Sequence, residues 1–216
     1  MGWGPVGAVT VLRPWAERLV EVLRPRPGEC IVDASADGGL LRRRLARAVD
    51  PGGTVIPHPE TSRRLVPGPS ADAAASLLSL QLCVDPAGRL AELVEAVEPR
   101  RGRVVVLVQV AEGSPHETAV VEVLGGAAPA GTLTAAEVDA LARAGPLRAE
   151  RLRDVVRFDG VDQLWTALVT ERGSHARLDP SRRSVLEAAL ARWTAADGTL
   201  RIAVEAACLV TEYHLT

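Results

Sequence analysis

Short apolar segments alternate with amphipathic helical segments along most of this chain, and this alternation restricts the fold more than any other feature. The segment 103–110, RVVVLVQV, carries the strongest strand pattern. It follows the segment 86–97, in which Leu90, Leu93 and Val97 recur at helical spacing. Strands that alternate with helices indicate an α/β protein with a mostly parallel sheet.

The remaining elements follow from the same patterns of apolar spacing and turn residues. Thr134 and Glu137 form a capping-box pattern at the start of one helix. The predicted strands are 29–33, 54–56, 73–80, 103–110, 147–158 and 200–211. The predicted helices are 14–23, 40–49, 86–97, 132–144, 162–168 and 181–193.

Composition excludes several classes of function. The chain has 216 residues and a formal net charge of −2, which argues against a nucleic-acid-binding surface. None of the 25 basic residues is a lysine, so Schiff-base and lysine-base chemistry are excluded. The cysteines form no C-x-x-C pair and the histidines lack metal-ligand spacing, so no metal site is predicted. The arginine-rich helix 40–49 has a basic face, which is either solvated or binds a phosphate or an acidic partner.

Three spans of the chain agree in order and spacing with one known family. They are 17–56, 72–109 and 133–169. The second span is the most specific, with a strand, the pattern S-L-x-x-L-Q, a helix start at Asp85 and Pro86, a turn and a hydrophobic strand. In these features the chain resembles the class I S-adenosylmethionine (SAM)-dependent methyltransferases of the small-molecule branch. The resemblance implies a Rossmann-like, three-layer α/β sandwich whose mostly parallel sheet has an antiparallel last strand.

The resemblance also implies a SAM site beyond the carboxyl ends of the strands, where the strand order reverses. In the family, a loop of the pattern acid-x-Gly-x-Gly-x-Gly follows the first strand. Here the loop 33–39 reads DASADGG, so Ser35 and Asp37 replace two glycines, and Pro59 replaces the ribose-binding acid. Asp33 has the alternative role of capping the turn after the first strand. If SAM binds, the resemblance assigns its contacts to Asp33, Ser35, Asp37, Gly39 and Glu60.

These departures predict that SAM binding is very weak or undetectable. A Cβ atom at Ser35 or Asp37 resists positive φ angles or crowds the ligand, and the Asp37 carboxylate repels the carboxylate of SAM. In the family, a helix, a third strand and an adenine loop follow the second strand. The segment 57–71 is short and contains four prolines, so we expect this unit, including the third strand, to be missing.

Two histidines stand near carboxylates in segments that this fold places at the site. His58 is close to Glu60 and His116 precedes Glu117, so either histidine can serve as a general acid or base near neutral pH. The alternative for both is a structural role, in a solvated loop or at a helix start. The candidate catalytic residues are His58, His116 and Glu117, and the candidate substrate-pocket residues are Trp3, Ser76 and Gln81.

Two functions from different classes follow. In the first, the chain is an enzyme acting on a small molecule in a secondary-metabolite pathway, and it either methylates with SAM or catalyses a non-methylating reaction such as a cyclisation. In the second, it is a catalytically inactive homologue that binds or stabilises another protein, such as a paralogous methyltransferase. A homodimer is a further expectation, and neither nucleic acid nor a membrane is expected as a partner.

Length and terminal sequence lead to two further expectations. One domain is expected over 1–216, with a helical cap over 1–28 and an α/β core over 29–216. The first residues lack the pattern of a signal peptide, and no stretch approaches a membrane span, so a cytoplasmic location is expected.

Overall fold

The fold is an alternation of helices and strands, given by a computed structural model that describes residues 5–35, 39–58, 71–80, 83–99, 101–110, 133–145, 147–165 and 180–211. The helices are α1 (Pro5–Leu23), α2 (Leu40–Val49), α3 (Pro86–Ala96), α4 (Ala135–Ala144) and α5 (Pro180–Leu190). The strands are β1 (Cys30–Asp33), β2 (Thr54–Pro57), β3 (Ala73–Leu77), β4 (Arg103–Gln109), β5 (Leu147–Phe158) and β6 (Leu200–Thr211). A short 3₁₀ turn, Ala191–Trp193, follows α5.

The strands that the structure describes form one six-stranded sheet in the order β2-β1-β3-β4-β6-β5. The first four strands of this order are parallel, whereas β6 is antiparallel to both of its neighbours. The predicted mostly parallel sheet with an antiparallel last strand is therefore confirmed. Among the described residues, β2 and β5 form the two edges of the sheet. Residues 59–70, on which the expectation of a missing third strand depends, lie outside the described residues.

Helices cover both faces of the parallel strands, because neighbouring residues of a strand point to opposite faces. On β1, Ile31 packs in one apolar cluster with α1 and α2, whereas Val32 packs in another with α3. Both side chains are fully buried. The apolar run 104–108 of β4 is buried throughout for the same reason, as is usual for parallel strands in α/β folds. The predicted three-layer sandwich is confirmed.

The ribbon formed by β5 and β6 extends past the rest of the sheet. The two strands pair over all 12 residues of each, yet β4 pairs only with 206–210 of β6. A third apolar cluster joins one face of the extension to α5. The cluster contains Phe158, Leu164, Leu186, Leu190, Leu200 and Ile202. On the opposite face of the extension, Val155 is exposed.

Many predicted boundaries agree closely with the structure, and the differences at α1 and β3 have identifiable reasons. The helix α1 begins at Pro5, so Pro14 lies inside it rather than at its first turn, where the sequence placed it. The apolar segment ahead of Pro14 continues the helical pattern. The strand β3 ends at Leu77 instead of residue 80. Leu78 has a φ of 56°, and its N–H donates to the carbonyl oxygen of Leu107, which turns the chain out of the strand.

The C-terminal helices agree with the sequence in type but not fully in extent. Thr134 and Glu137 form the predicted capping box, and α4 begins at the next residue after Thr134. The helix predicted over 181–193 is α5, which ends at Leu190 before the 3₁₀ turn. Of the helix predicted over 162–168, residues beyond 165 lie outside the described residues. Within the part of the chain that the structure describes, no helix has the length and apolar character needed to cross a membrane.

The substitution Leu186→Ala is expected to destabilise the protein through the third apolar cluster. Leu186 is fully buried there, so truncation removes contacts and leaves a cavity, at a cost of about 2–5 kcal/mol. The adjacent Val185 is 56% exposed, which makes Val185→Ala the matched control. Its effect should stay within about 0.5 kcal/mol. Urea denaturation followed by circular dichroism measures both, and equal losses would contradict the packing of α5 on the ribbon.

Candidate functional site

The carboxyl ends of β1, β2 and β3 meet at one edge of the sheet, which is where open α/β folds bind their ligands. The chain passes from β1 to β2 on one side and from β3 to β4 on the other, so the strand order reverses between β1 and β3. Asp33, the last residue of β1, pairs with Pro57 of β2 and Ala75 of β3. We define the carboxyl-edge site by Asp33, Ser35, His58, Leu77 and Arg89.

Ser35 joins β1 to β3 through its side chain. Its Oγ accepts a hydrogen bond of 3.0 Å from the backbone N–H of Leu77. The preceding residue, Ala34, donates its N–H to the carbonyl oxygen of Ala75 at 2.8 Å, so the backbone contact continues past the end of β1. A glycine at position 35 has no hydroxyl group. The serine therefore adds a hydrogen bond across the place where the strand order reverses.

Asp33 is buried, with 2% of its surface exposed, and both carboxylate oxygens have partners within the chain. Oδ1 accepts from the N–H of Ser35 at 3.1 Å, which is the turn cap that the sequence left as an alternative. Oδ2 lies 3.4 Å from Nε of Arg42, on α2, which neutralises the buried charge. One arginine of the basic face of α2 therefore serves the site. A contact between Asp33 and a cofactor stays a prediction.

Gly39 retains the last glycine of the loop pattern at the N-terminus of α2. Its φ is 87°, a left-handed conformation that L side chains rarely adopt. A Cβ atom there would have room, since the nearest other atom is Nη1 of Arg43 at 3.7 Å. The backbone conformation, rather than crowding, accounts for the glycine.

Ser76 is fully buried, and its hydroxyl group faces the interior. Its Oγ lies 2.5 Å from Oγ of Ser79, and it is 3.5 Å from the carbonyl oxygen of Ala34. These contacts link β3 to the residue that follows β1. The Ser76 hydroxyl is thus hydrogen-bonded within the protein. Its predicted place in a substrate pocket stays a prediction.

His58 is buried at the end of β2 and is bonded to two other parts of the site. Its backbone N–H donates to the carbonyl oxygen of Asp33 at 2.8 Å. Its Nε2 lies 2.7 Å from Nη1 of Arg89, near the start of α3. The same Nη1 donates to Oε2 of Glu92 at 2.8 Å. His58 and Arg89 are 6% and 8% exposed, so this hydrogen bond lies in the protein interior.

The protonation state of His58 follows from this geometry. An arginine only donates, so Nε2 accepts and the neutral ring carries its proton on Nδ1. Burial lowers the pKa of His58, the charge of Arg89 lowers it further, and the Glu92 carboxylate opposes both effects. In this arrangement His58 can donate through Nδ1, but it cannot take a proton at Nε2 without losing Arg89. Its role as a general base stays a prediction.

Arg89 belongs to the site, although the sequence reasoning does not single it out. Helical spacing places it on the same face of α3 as Leu93 and Ala96, both of which are buried. An arginine on an apolar face indicates a buried charge that needs a partner, and this signal is present in the sequence. The partner, His58, is 31 positions away, and no sequence pattern joins the two.

Several predicted site residues cannot be placed. Trp3, Asp37, Glu60, Gln81, His116 and Glu117 lie outside the described residues, and their roles stay predictions. Pro59 also lies outside them. Over the ranges that the structure describes, no group of three or more His, Cys, Asp or Glu side chains is arranged to hold a metal ion.

Comparison with known proteins identifies the class of fold. No family model and no curated protein matches this chain. A solved structure described as a methyltransferase from an antibiotic biosynthesis pathway of Anabaena variabilis aligns with a TM-score of 0.61 and 14% identity, over 94% of this chain and 98% of that one. Another, described as a methyltransferase of Bacillus halodurans, has a TM-score of 0.60 and 10% identity, over 90% and 96%. The SpnF cyclase aligns with a TM-score of 0.50 and 16% identity, over 92% and 80%.

The chain therefore has the fold of the class I SAM-dependent methyltransferases, as the sequence motifs indicate. The identities are low, so the likeness establishes the fold and leaves the activity to be argued from the site.

His58 is expected to make the folded protein less stable in mild acid. Its pKa in the folded state is lowered from the ordinary value of 6.5, so the unfolded chain binds this proton more readily than the folded chain does. The contribution of His58 to stability is complete above about pH 6.5 and declines as the pH falls from there toward the lower folded-state pKa. Urea midpoints measured between about pH 7.5 and about pH 5 test this sign.

The matched control is His58→Gln, because a glutamine oxygen accepts from Arg89 but does not titrate. The variant should lose less of its urea midpoint over the same pH interval than the unmodified protein loses. An identical pH profile in both proteins would show that another group causes the acid sensitivity.

Proposed function

We propose that this chain is a small-molecule enzyme of the methyltransferase fold, in a secondary-metabolite pathway, whose reaction is not methyl transfer from SAM. A cyclisation is one such reaction. The observation that carries the proposal is the hydrogen bond between Ser35 Oγ and the N–H of Leu77, which joins β1 to β3 where the family holds its cofactor. The Asp33 carboxylate, the retained acid of that loop, is likewise engaged, by Ser35 and Arg42.

The energetic argument concerns the ribose of SAM. In the family, an acid after the second strand accepts hydrogen bonds from the ribose hydroxyls, and such a charge-assisted contact is worth roughly 1.5–3 kcal/mol. In this chain His58 directly follows β2, and its Nε2 is engaged with Arg89. Each loss of about 1.4 kcal/mol weakens binding tenfold. The replacement of the ribose-binding acid by Pro59 and the engaged loop together favour a ligand other than SAM.

The support for a small-molecule role from the comparisons is limited to similarity of fold. One neighbour is described as a methyltransferase from an antibiotic biosynthesis pathway, and another is the SpnF cyclase. A fold does not determine the reaction, so methylating and non-methylating chemistry are both compatible with it. The bonds within the carboxyl-edge site favour the non-methylating reaction for this chain.

Isothermal titration with SAM and with S-adenosylhomocysteine tests the proposal. We expect no saturable heat from the unmodified protein at micromolar ligand. The double variant Ser35→Gly with Asp37→Gly should not restore SAM binding fully, because the adenine loop that the short segment 57–71 is expected to lack would still be missing. Thermal unfolding of the variant serves as the folding control, since losing the Ser35 hydrogen bond costs about 1 kcal/mol. Micromolar binding of SAM to the unmodified protein would overturn the proposal in favour of methyl transfer.

A second candidate function rests on the exposed face of the β5–β6 ribbon. A groove of about 630 Å³ there is lined by Val155, Arg157, Trp193, Arg201 and Ala203. Val155 is 57% exposed, and the guanidinium group of Arg192 lies 3.9 Å from the ring centroid of Trp193. The arginines favour an acidic partner segment over a second copy of the chain, because a twofold contact brings the same arginines together. In this function the chain is an inactive homologue that stabilises another protein.

The second function predicts that the ribbon groove binds an acidic, apolar peptide. The double variant Arg157→Glu with Arg201→Glu should bind a fluorescein-labelled peptide of alternating glutamate and leucine at least tenfold more weakly than the unmodified protein, because it reverses the charge of the groove. Arg26→Glu is the control, since Arg26 is exposed and lies before β1, outside the groove. Fluorescence anisotropy measures the affinities. Equal binding by all three proteins would exclude the groove as the docking surface.

A further inference from the structure

We propose that Arg89 makes the carboxyl-edge site a binding site for a phosphate group carried by a small molecule. This inference rests on the proposed function, since it names a ligand class for the same site. The observation behind it is that Nη2 of Arg89 is buried and has no hydrogen-bond partner among the residues that the structure describes. A buried polar group without a partner is rare in native proteins, so each one calls for a physical explanation.

The geometry around Arg89 isolates Nη2 as the available donor. The Arg89 side chain is 8% exposed, and its Nη1 serves both His58 and Glu92. The guanidinium group is planar and rigid, so Nη2 is held beside this pair, and neither of its N–H groups meets an acceptor in the part of the chain that the structure describes. A buried charged donor without an acceptor is costly, and an oxyanion that binds there removes this cost.

Within the described ranges, two other arginines also have a buried nitrogen without a partner, and Arg89 differs from both. In Arg44 and Arg103 that atom is Nε, which has a single N–H, and the side chains are 25% and 27% exposed. Arg103 begins β4, so it lies at the opposite, amino-terminal edge of the sheet. Among these three arginines, only Arg89 combines deep burial with a position where this fold binds ligands.

The kind of ligand follows from what the site offers. In dinucleotide-binding folds an acid near the end of the second strand accepts from a ribose hydroxyl, whereas an arginine there accommodates a ribose phosphate. Here His58, at the end of β2, lies against Arg89, and among the described residues the Nη2 group of Arg89 is a donor without an acceptor, whereas a ribose diol needs an acceptor. A guanidinium group binds a phosphate through parallel N–H···O bonds. A phosphorylated ribose or a comparable phosphate ester fits this chemistry, and a neutral sugar does not.

Two nearby carboxylates affect the electrostatic attraction between Arg89 and a bound phosphate. Glu92 is bonded to Nη1 of Arg89, but its side chain is 42% exposed, so solvent weakens this pair. Asp33 is already paired with Arg42. Glu92 therefore competes with the ligand for the charge of Arg89 without occupying Nη2, and its removal should strengthen phosphate binding.

Titration with three probes tests the proposal on the full chain. Inorganic phosphate and adenosine 2′-monophosphate should each raise the melting temperature saturably, the nucleotide at lower concentration, whereas adenosine should have no effect. Phosphate binding without any gain from the nucleotide would still support the oxyanion site and point to a different phosphate ester. If neither phosphate probe binds, or if adenosine binds as tightly as its phosphate, the proposal is overturned.

Variants of the site identify the residue responsible. Arg89→Met should bind adenosine 2′-monophosphate at least tenfold more weakly, while Arg101→Met, at an exposed arginine before β4, should bind it as the unmodified protein does. Should Arg89→Met fail to fold, Arg89→Lys keeps the charge without the planar donor pair and should bind several-fold more weakly. Glu92→Gln should bind several-fold more tightly. Unchanged binding in a folded Arg89 variant would overturn the proposal.

The phosphate titrations and the SAM titrations have separate outcomes. If neither the phosphate probes nor SAM bind, the phosphate proposal is overturned, but the proposed non-methylating function is not. Micromolar SAM binding overturns that function, and the Arg89 variants then still decide whether a phosphate binds independently.

Discussion

The parallel pairing of β1 with β3 determines where the groups of the carboxyl-edge site lie. Val32 pairs with Ala74 and Asp33 with Ala75, so two strands that are distant in sequence end side by side. The residues 73–75 of β3 are alanines and are fully buried, which leaves space on both faces for the larger side chains of the helices. Because of this pairing, Ser35 reaches the backbone of Leu77. The site is thus a consequence of the sheet order.

Two neighbouring parts of this edge have opposite chemical character. Between β1 and β3, the hydroxyl of Ser35 and the carboxylate of Asp33 are satisfied within the chain. Between β2 and α3, the buried guanidinium group of Arg89 has a donor that no described residue satisfies. The free energy of binding is more favourable for a ligand that satisfies a buried donor than for a ligand that must first displace existing hydrogen bonds. The edge is therefore better suited to binding an acceptor near β2 than to binding a cofactor at the β1–β3 junction.

Local patterns predicted the elements well, because apolar spacing and turn residues act over a few positions. The bounds of α2, the capping box at Thr134 and the extent of β5 all follow from neighbouring residues. The contacts of the site do not, because they join distant positions. His58 meets Arg89 across 31 positions, and Ser35 meets Leu77 across 42. A sequence pattern can mark Arg89 as an unusual residue on an apolar helix face, but only the folded chain shows its partner.

The burial of Arg89 argues for a role beyond stability. Burying a guanidinium group is costly, because the loss of its hydration offsets much of its attraction to a carboxylate, so an apolar residue of similar size often leaves a protein equally or more stable. A methionine or leucine at position 89 would continue the apolar face that Leu93 forms and would need neither His58 nor Glu92. The chain instead places a guanidinium group there, with neutral His58 as its acceptor, and one of its nitrogens has no partner among the described residues. Packing alone would favour an apolar residue at position 89. Binding of a ligand to Nη2 explains why an arginine is there instead.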